Sequence, residues 1–154
     1  MIIEFDDATG NCPIASEQVI NWVHTVLASE TDDTTELAIR VVDADESREL
    51  NRTFRGKDYP TNVLSFPADI QIPDGPTILG DIAICLPVVE QEAQEQTKYF
   101  EHHFAHMVIH GCLHLMGYDH ENDQDADEME AKEIGILANL GYSNPYLSQE
   151  QKDT

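Results

Sequence analysis

The stretch HGCLHLMGYDH, from His110 to His120, limits the folds open to this chain more tightly than any other segment. Residues four apart on a helix lie one above the other, with Cβ atoms roughly 5–6 Å apart. His110 and His114 can therefore lean together and each place a ring nitrogen about 2.0–2.1 Å from one zinc ion. Gly117 accepts a left-handed backbone at the helix end, so the chain can turn and bring His120 back from another direction. Three nitrogen ligands on one side leave a fourth position open to water or substrate. That is the pattern of a catalytic site rather than a closed structural one.

The remaining histidines fit this ion less well. His106 shares a helix face with His110 and His114, but it lies eight residues before His114, about 12 Å along the axis. Ligands of one tetrahedral ion need nitrogens within roughly 3.5 Å, so His106 reads as a packing residue or a support behind the ligands. His102 and His103 read as solvated or near a helix start, and His24 falls on the polar side of the first helix. Cys112 sits roughly 200° around the helix from His110, at ~100° per residue, and reads as core. Asp123, Asp125 and Asp127 imitate the start of a calcium loop. The sixth position, however, is Glu128 where glycine is needed, and the twelfth is Ile134 where a bidentate glutamate belongs. The acidic run from Asp119 to Glu133 is expected to be solvated.

Around this segment the periodicity predicts strands at Ile2–Asp6, Thr35–Asp43, Asn62–Pro67 and Ile78–Leu86. It predicts helices after Ser16, over Ser47–Phe54, from Pro87 to about Thr97, over Tyr99–Met116 and from about Asp125 to Leu140. Gly117 and Gly141 occupy helix-stop positions. Strands mixed with helices early, then helices alone, point to an α+β fold: one mixed sheet covered by helices, with the histidine helix central. Residues 1–154 are expected to form a single hydrolase-like domain around the metal, since no repeat, low-complexity tract or long linker divides them. Met1–Asp7 reads as a strand rather than a leader. The longest nearly apolar run, Ile82–Val89, is too short to cross a bilayer. Three widely spaced cysteines, Cys12, Cys85 and Cys112, suit a reducing cytoplasm and argue against a disulfide framework.

Charge sets the opposing constraint. Thirty acidic residues against eight basic ones give a formal net charge of -22. Such a surface repels membranes and nucleic acid at long range. An anionic substrate would need a local positive spot built from a few arginines and a metal.

The spacing H-x-x-x-H-x-x-G-x-x-H matches that of the metzincin proteases except at one residue. Those enzymes carry a glutamate directly after the first histidine as general base, whereas this chain has Gly111. Losing such a base typically costs ~10²–10⁴-fold, which makes a metalloprotease the weaker reading. The whole string HGCLHLMGYDH, with LNRTFRGKDYPTNVLSFP (Leu50 to Pro67) and LGDIAIC (Leu79 to Cys85) before it, closely resembles the YbeY family of bacterial endoribonucleases. The three blocks come in that family's order. The resemblance implies that His110, His114 and His120 bind one zinc ion. Imidazole also suits nickel, copper or iron.

The same resemblance puts the family's important arginine on Arg55, here read as stabilising negative charge on a phosphate. Asn62 stands where many members have aspartate. Also implied are maturation of small-subunit ribosomal RNA, ribosome quality control, and association with that RNA and with the small subunit. Asp119 is the acid nearest the ligands in sequence. It reads as a general base or, at least as well, as a residue orienting a ligand or capping the turn. LGDIAIC reads as an ordinary sheet strand, with addition of an extended ligand along it as the alternative. A ribosome-assembly factor whose metal mainly braces the fold is the second functional class.

Overall fold

The structure, a computed structural model, describes residues 1–28 and 35–147. The described residues form β1 (Ile2–Asp7), α1 (Ser16–Leu27), β2 (Thr35–Val42), α2 (Ala44–Arg55), β3 (Val63–Gln71), β4 (Thr77–Cys85), α3 (Leu86–Glu95), α4 (Phe100–Leu115) and α5 (Asp123–Asn139). The four strands make one sheet in the order β1-β2-β4-β3. β1, β2 and β4 run parallel, and β3 runs antiparallel along β4. The α+β class expected from the element order, with one mixed sheet, is the one observed.

Alternation along β4 decides which face of the sheet each cluster occupies. Ile82 and Ile84 join the main core with α1 and α4, while Ala83 and Cys85 join a smaller cluster with Val42 and Leu64. β4 lies between β2 and β3, so both its backbone edges are already paired. LGDIAIC is thus an interior strand, and addition of an extended ligand along it is ruled out.

The histidine helix α4 packs on α1, α3 and α5 and on β3 and β4. Most of its length is buried, including Phe104, Val108, Ile109, Cys112 and Leu113. One side presses the sheet at Gly111, where even a Cβ would come within 3.0 Å of Ile82 Cγ2 and 3.3 Å of Val63 Cγ2. The Ser65 hydroxyl donates to the Gly111 carbonyl at 3.1 Å. Those contacts fix how α4 is rotated against the sheet. At its far end Gly117 has φ +99°, the left-handed turn that glycine was expected to supply.

α2 begins at Ala44, three residues before the start expected from sequence. The Asp43 carboxylate accepts the Glu46 backbone N–H at 2.8 Å, satisfying one orphan donor of the first turn. Gly56, with φ +70°, caps the other end directly after Arg55. No helix of the described residues is long and apolar enough to cross a membrane. Asp43→Ala should lower stability by about 1 kcal/mol through loss of this cap. The expected result is a reduced urea midpoint with an unchanged slope.

Candidate metal centre

Three imidazoles converge at the end of α4 and the turn after it. The rings of His110 and His114 lie 4.5 Å apart, and that of His120 lies 5.1 Å from His114 and 6.0 Å from His110. One nitrogen from each falls within 4.8 Å of the others. His114 Nδ1–H donates to the Tyr118 carbonyl at 3.0 Å, and His110 Nδ1–H donates to Glu133 at 2.7 Å. With both Nδ1 atoms protonated, the two Nε2 atoms facing each other at 3.1 Å present lone pair to lone pair. That arrangement repels unless a cation or proton sits between them. A proton is poorly held there: burial and then the neighbouring His110 and His120 push the His114 pKa down to about 4. The donor set therefore fits a transition metal, for which neutral imidazole is a favoured ligand.

These rings open into a cleft of about 600 Å³, also lined by Arg55, Asn62, Ser65, Tyr118 and Asp119. Arg55 is exposed. Arg40 pairs with Asp6 and Glu46, Arg48 with Asp58, and Arg52 with Glu49. No carboxylate pairs with Arg55 among the described residues. Asp119 lies in the same cleft, and its Oδ1 accepts the His120 backbone N–H at 2.6 Å. Of the two roles read for it, holding the turn is the one with a direct contact. Asp81 falls elsewhere, in a cleft beside Arg40, Leu50, Phe54 and Phe66. Gly111, the position of the protease glutamate, faces the sheet, where a Cβ would already crowd Ile82 and Val63.

Three expectations about single residues change. Glu133 belongs to no solvated run: it is fully buried. It sits between His110 and His106, whose Nε2 lies 2.6 Å from Glu133 Oε2. His102 and His103 do lie in the first turn of α4, but His103 is buried rather than solvated, and its Nε2 lies 3.0 Å from Glu92. Glu92 in turn accepts the Asn62 side-chain amide at 3.1 Å. His102 is half-buried against the Tyr142 ring. His24 is exposed as expected, and Cys112 is buried in the core with its thiol pushed up to about 12 by desolvation.

Against this geometry the comparisons with known proteins have a direct meaning. The sequence model described as Endoribonuclease YbeY matches residues 4–141. The chain belongs to the YbeY family. An Endoribonuclease YbeY from Stutzerimonas stutzeri is 55% identical over 90% of this chain and 86% of its own length. One from Cellvibrio japonicus is 49% identical over 94% and 81%. The solution structure of TM1509 from Thermotoga maritima superimposes with a TM-score of 0.61 at 28% identity, covering 94% of this chain and 99% of that one. YbeY membership makes the chain an endoribonuclease family member rather than a peptidase, in agreement with the glycine at position 111.

Two groups make folding of the metal-free chain pH-dependent in the same direction. The His114 pKa falls on folding from 6.5 to about 4, so the unfolded chain takes up that proton first and stability is lost as pH drops through this window. Burial alone would raise the Glu133 carboxyl, but donors from His106, His110 and Tyr146 hold it down at about 2. Its contribution is present above the ordinary value of 4.5 and is lost between there and about 2. Urea midpoints should therefore decline from pH 7 to pH 4, and His114→Gln should flatten that part of the curve.

Proposed function

We propose that this chain is a metal-dependent endoribonuclease of small-subunit ribosomal RNA maturation and ribosome quality control, working on RNA presented by the small subunit. The observation that carries the reading is the convergence of His110, His114 and His120 in one cleft with Arg55, which pairs with no carboxylate among the described residues. The three imidazoles would hold one ion, zinc or a similar transition metal. When bound, that ion supplies Lewis-acid charge at a phosphodiester.

The chain's own residues do the rest. Arg55 offers a planar fork of donors that matches two phosphoryl oxygens and stabilises the charge that grows on phosphorus. Asn62 and Ser65 also line the cleft and are already held, Asn62 by Glu92 and Ser65 by the Gly111 carbonyl. The cleft is therefore shaped before RNA arrives. Asp119 keeps the His120 backbone in place.

One observation favours the second reading, an assembly factor with a mainly structural metal. The charge of -22 gives RNA little to hold beyond Arg55, so affinity in isolation should be low and should fall steeply with salt.

Cleavage of a small-subunit ribosomal RNA fragment by the metal-loaded chain separates the two. Under the enzymatic reading, Arg55→Ala should lower the rate ~10²–10³-fold, the usual effect of removing one charge-stabilising donor. Arg55→Lys should recover part of it. His114→Ala or a chelator should abolish cleavage, and added zinc should restore the chelated wild type only. If Arg55→Ala and His114→Ala stay folded and cleave like the wild type, the catalytic assignment fails.

A further inference from the structure

One acid belongs to the metal centre although it lies outside the three-histidine set. Glu133, on α5, is the only fully buried carboxylate among the described residues. Its Oε1 lies 2.7 Å from His110 Nδ1 and its Oε2 lies 2.6 Å from His106 Nε2. The Tyr146 hydroxyl also donates to Oε2. A carboxylate at this depth is tolerable only when donors fill its lone pairs. Both rings and the phenol must therefore turn their protons toward it. That assigns the tautomer of His110: the proton is on Nδ1, and Nε2, the nitrogen facing His114 at 3.1 Å, is left as the free base.

We propose that Glu133 is the positioning residue of the metal centre. By accepting the His110 Nδ1 proton it fixes the tautomer and orientation of that ring and strengthens Nε2 as a ligand. His106 and Tyr146 hold the carboxylate in place from its other side. This rests on the metal-centre reading above and extends it to an acid of α5 and a tyrosine beyond that helix. It also gives His106 a task, since that ring stands in line with the ligands yet points its Nε2 at Glu133. Carboxylates behind ligating histidines typically contribute 10–100-fold to metal affinity.

A rival arrangement uses the same atoms. His106, His110 and Glu133 also bring three potential ligand atoms within 4.8 Å of one another. A second ion there would make Glu133 a ligand and would take the proton off the His110 nitrogen that faces it. The two arrangements differ in stoichiometry and in tautomer.

The test uses the untagged full chain, with zinc affinity measured by competition against a chromophoric chelator, zinc content by elemental analysis and folding by circular dichroism. The wild type should bind one zinc, folded Glu133→Gln should bind it ~10–100-fold more weakly, and His114→Ala should lose it. Unchanged affinity in Glu133→Gln beside loss in His114→Ala overturns the positioning role and leaves the metal centre standing. Wild-type affinity in His114→Ala overturns the metal centre itself. Two zinc ions in the wild type, reduced to one by His106→Ala, overturn the proposal in favour of the rival. Should Glu133→Gln fail to fold, long-range proton–nitrogen NMR correlations of the zinc-free wild type decide. A His110 proton on Nδ1 supports the role, and one on Nε2 refutes it.

Discussion

The three-histidine cluster depends on one buried anion. An ionised carboxylate taken out of water carries a penalty of several kcal/mol unless donors surround it. The donors of Glu133 come from two successive turns of α4 and from Tyr146 beyond α5. The hydrogen bonds therefore do more than satisfy a charge, because they tie three separate parts of the chain together at a single point. If one partner is removed, the carboxylate is left underpaired in the core, where the cost of an unmade bond exceeds the worth of a made one. α4 and α5 are in this sense locked by chemistry as well as by packing.

On the opposite side α4 is fixed by the absence of a side chain. Gly111 lets the helix backbone approach Ile82 and Val63 of the sheet, and Ser65 holds its carbonyl. Between the sheet behind and Glu133 beside it, the helix has little freedom to rotate. Its last two histidines, His110 and His114, consequently emerge at the rim of the cleft rather than inside the core or out in solvent. The same close approach separates this fold from the peptidases whose histidine spacing it shares. A glutamate at position 111 would press its Cβ on the Ile82 and Val63 side chains of the sheet, so the protease base is missing from the sequence at a position that is already tight.

Much of this architecture is legible in the sequence because it is local. Helix spacing joins His110 to His114, and Gly117 announces the turn that returns His120. The alternation Ile82, Ile84 against Ala83, Cys85 separates the two faces of β4. The order β1-β2-β4-β3 is not local, and nothing in the spacing of the strands states that β4 lies inside the sheet. The start of α2 is displaced because Asp43 continues the pattern of β2 while serving as a cap. His103 misleads for a different reason: α4 is buried on nearly every side, so no polar face remains to mark its exposed positions. Glu133 is masked by its acidic neighbours, from Asp119 through Glu130. A signal was nevertheless present. Met129, Ile136 and Leu137 stand at −4, +3 and +4 from it, and all three are buried, so Glu133 interrupts an apolar stripe at the one place where a charge calls for a partner.

Placement of charge then bears on how a strongly acidic protein meets a polyanion. At physiological ionic strength fields are screened beyond roughly 8 Å, so the -22 of the whole surface acts chiefly on approach. Within the cleft the relevant charges are those within a few ångströms of the phosphate. Arg40, Arg48 and Arg52 are neutralised by their own acidic neighbours, which leaves Arg55 as the unpaired arginine of that cleft among the described residues, beside the cation that the three neutral imidazoles would hold. Recognition under these conditions is short-ranged and confined to one spot. It offers little nonspecific affinity for RNA in general and rewards a phosphodiester already brought to the cleft. Under the proposed function, the same acidity would weaken the chain as a free nuclease and would favour RNA that another surface delivers.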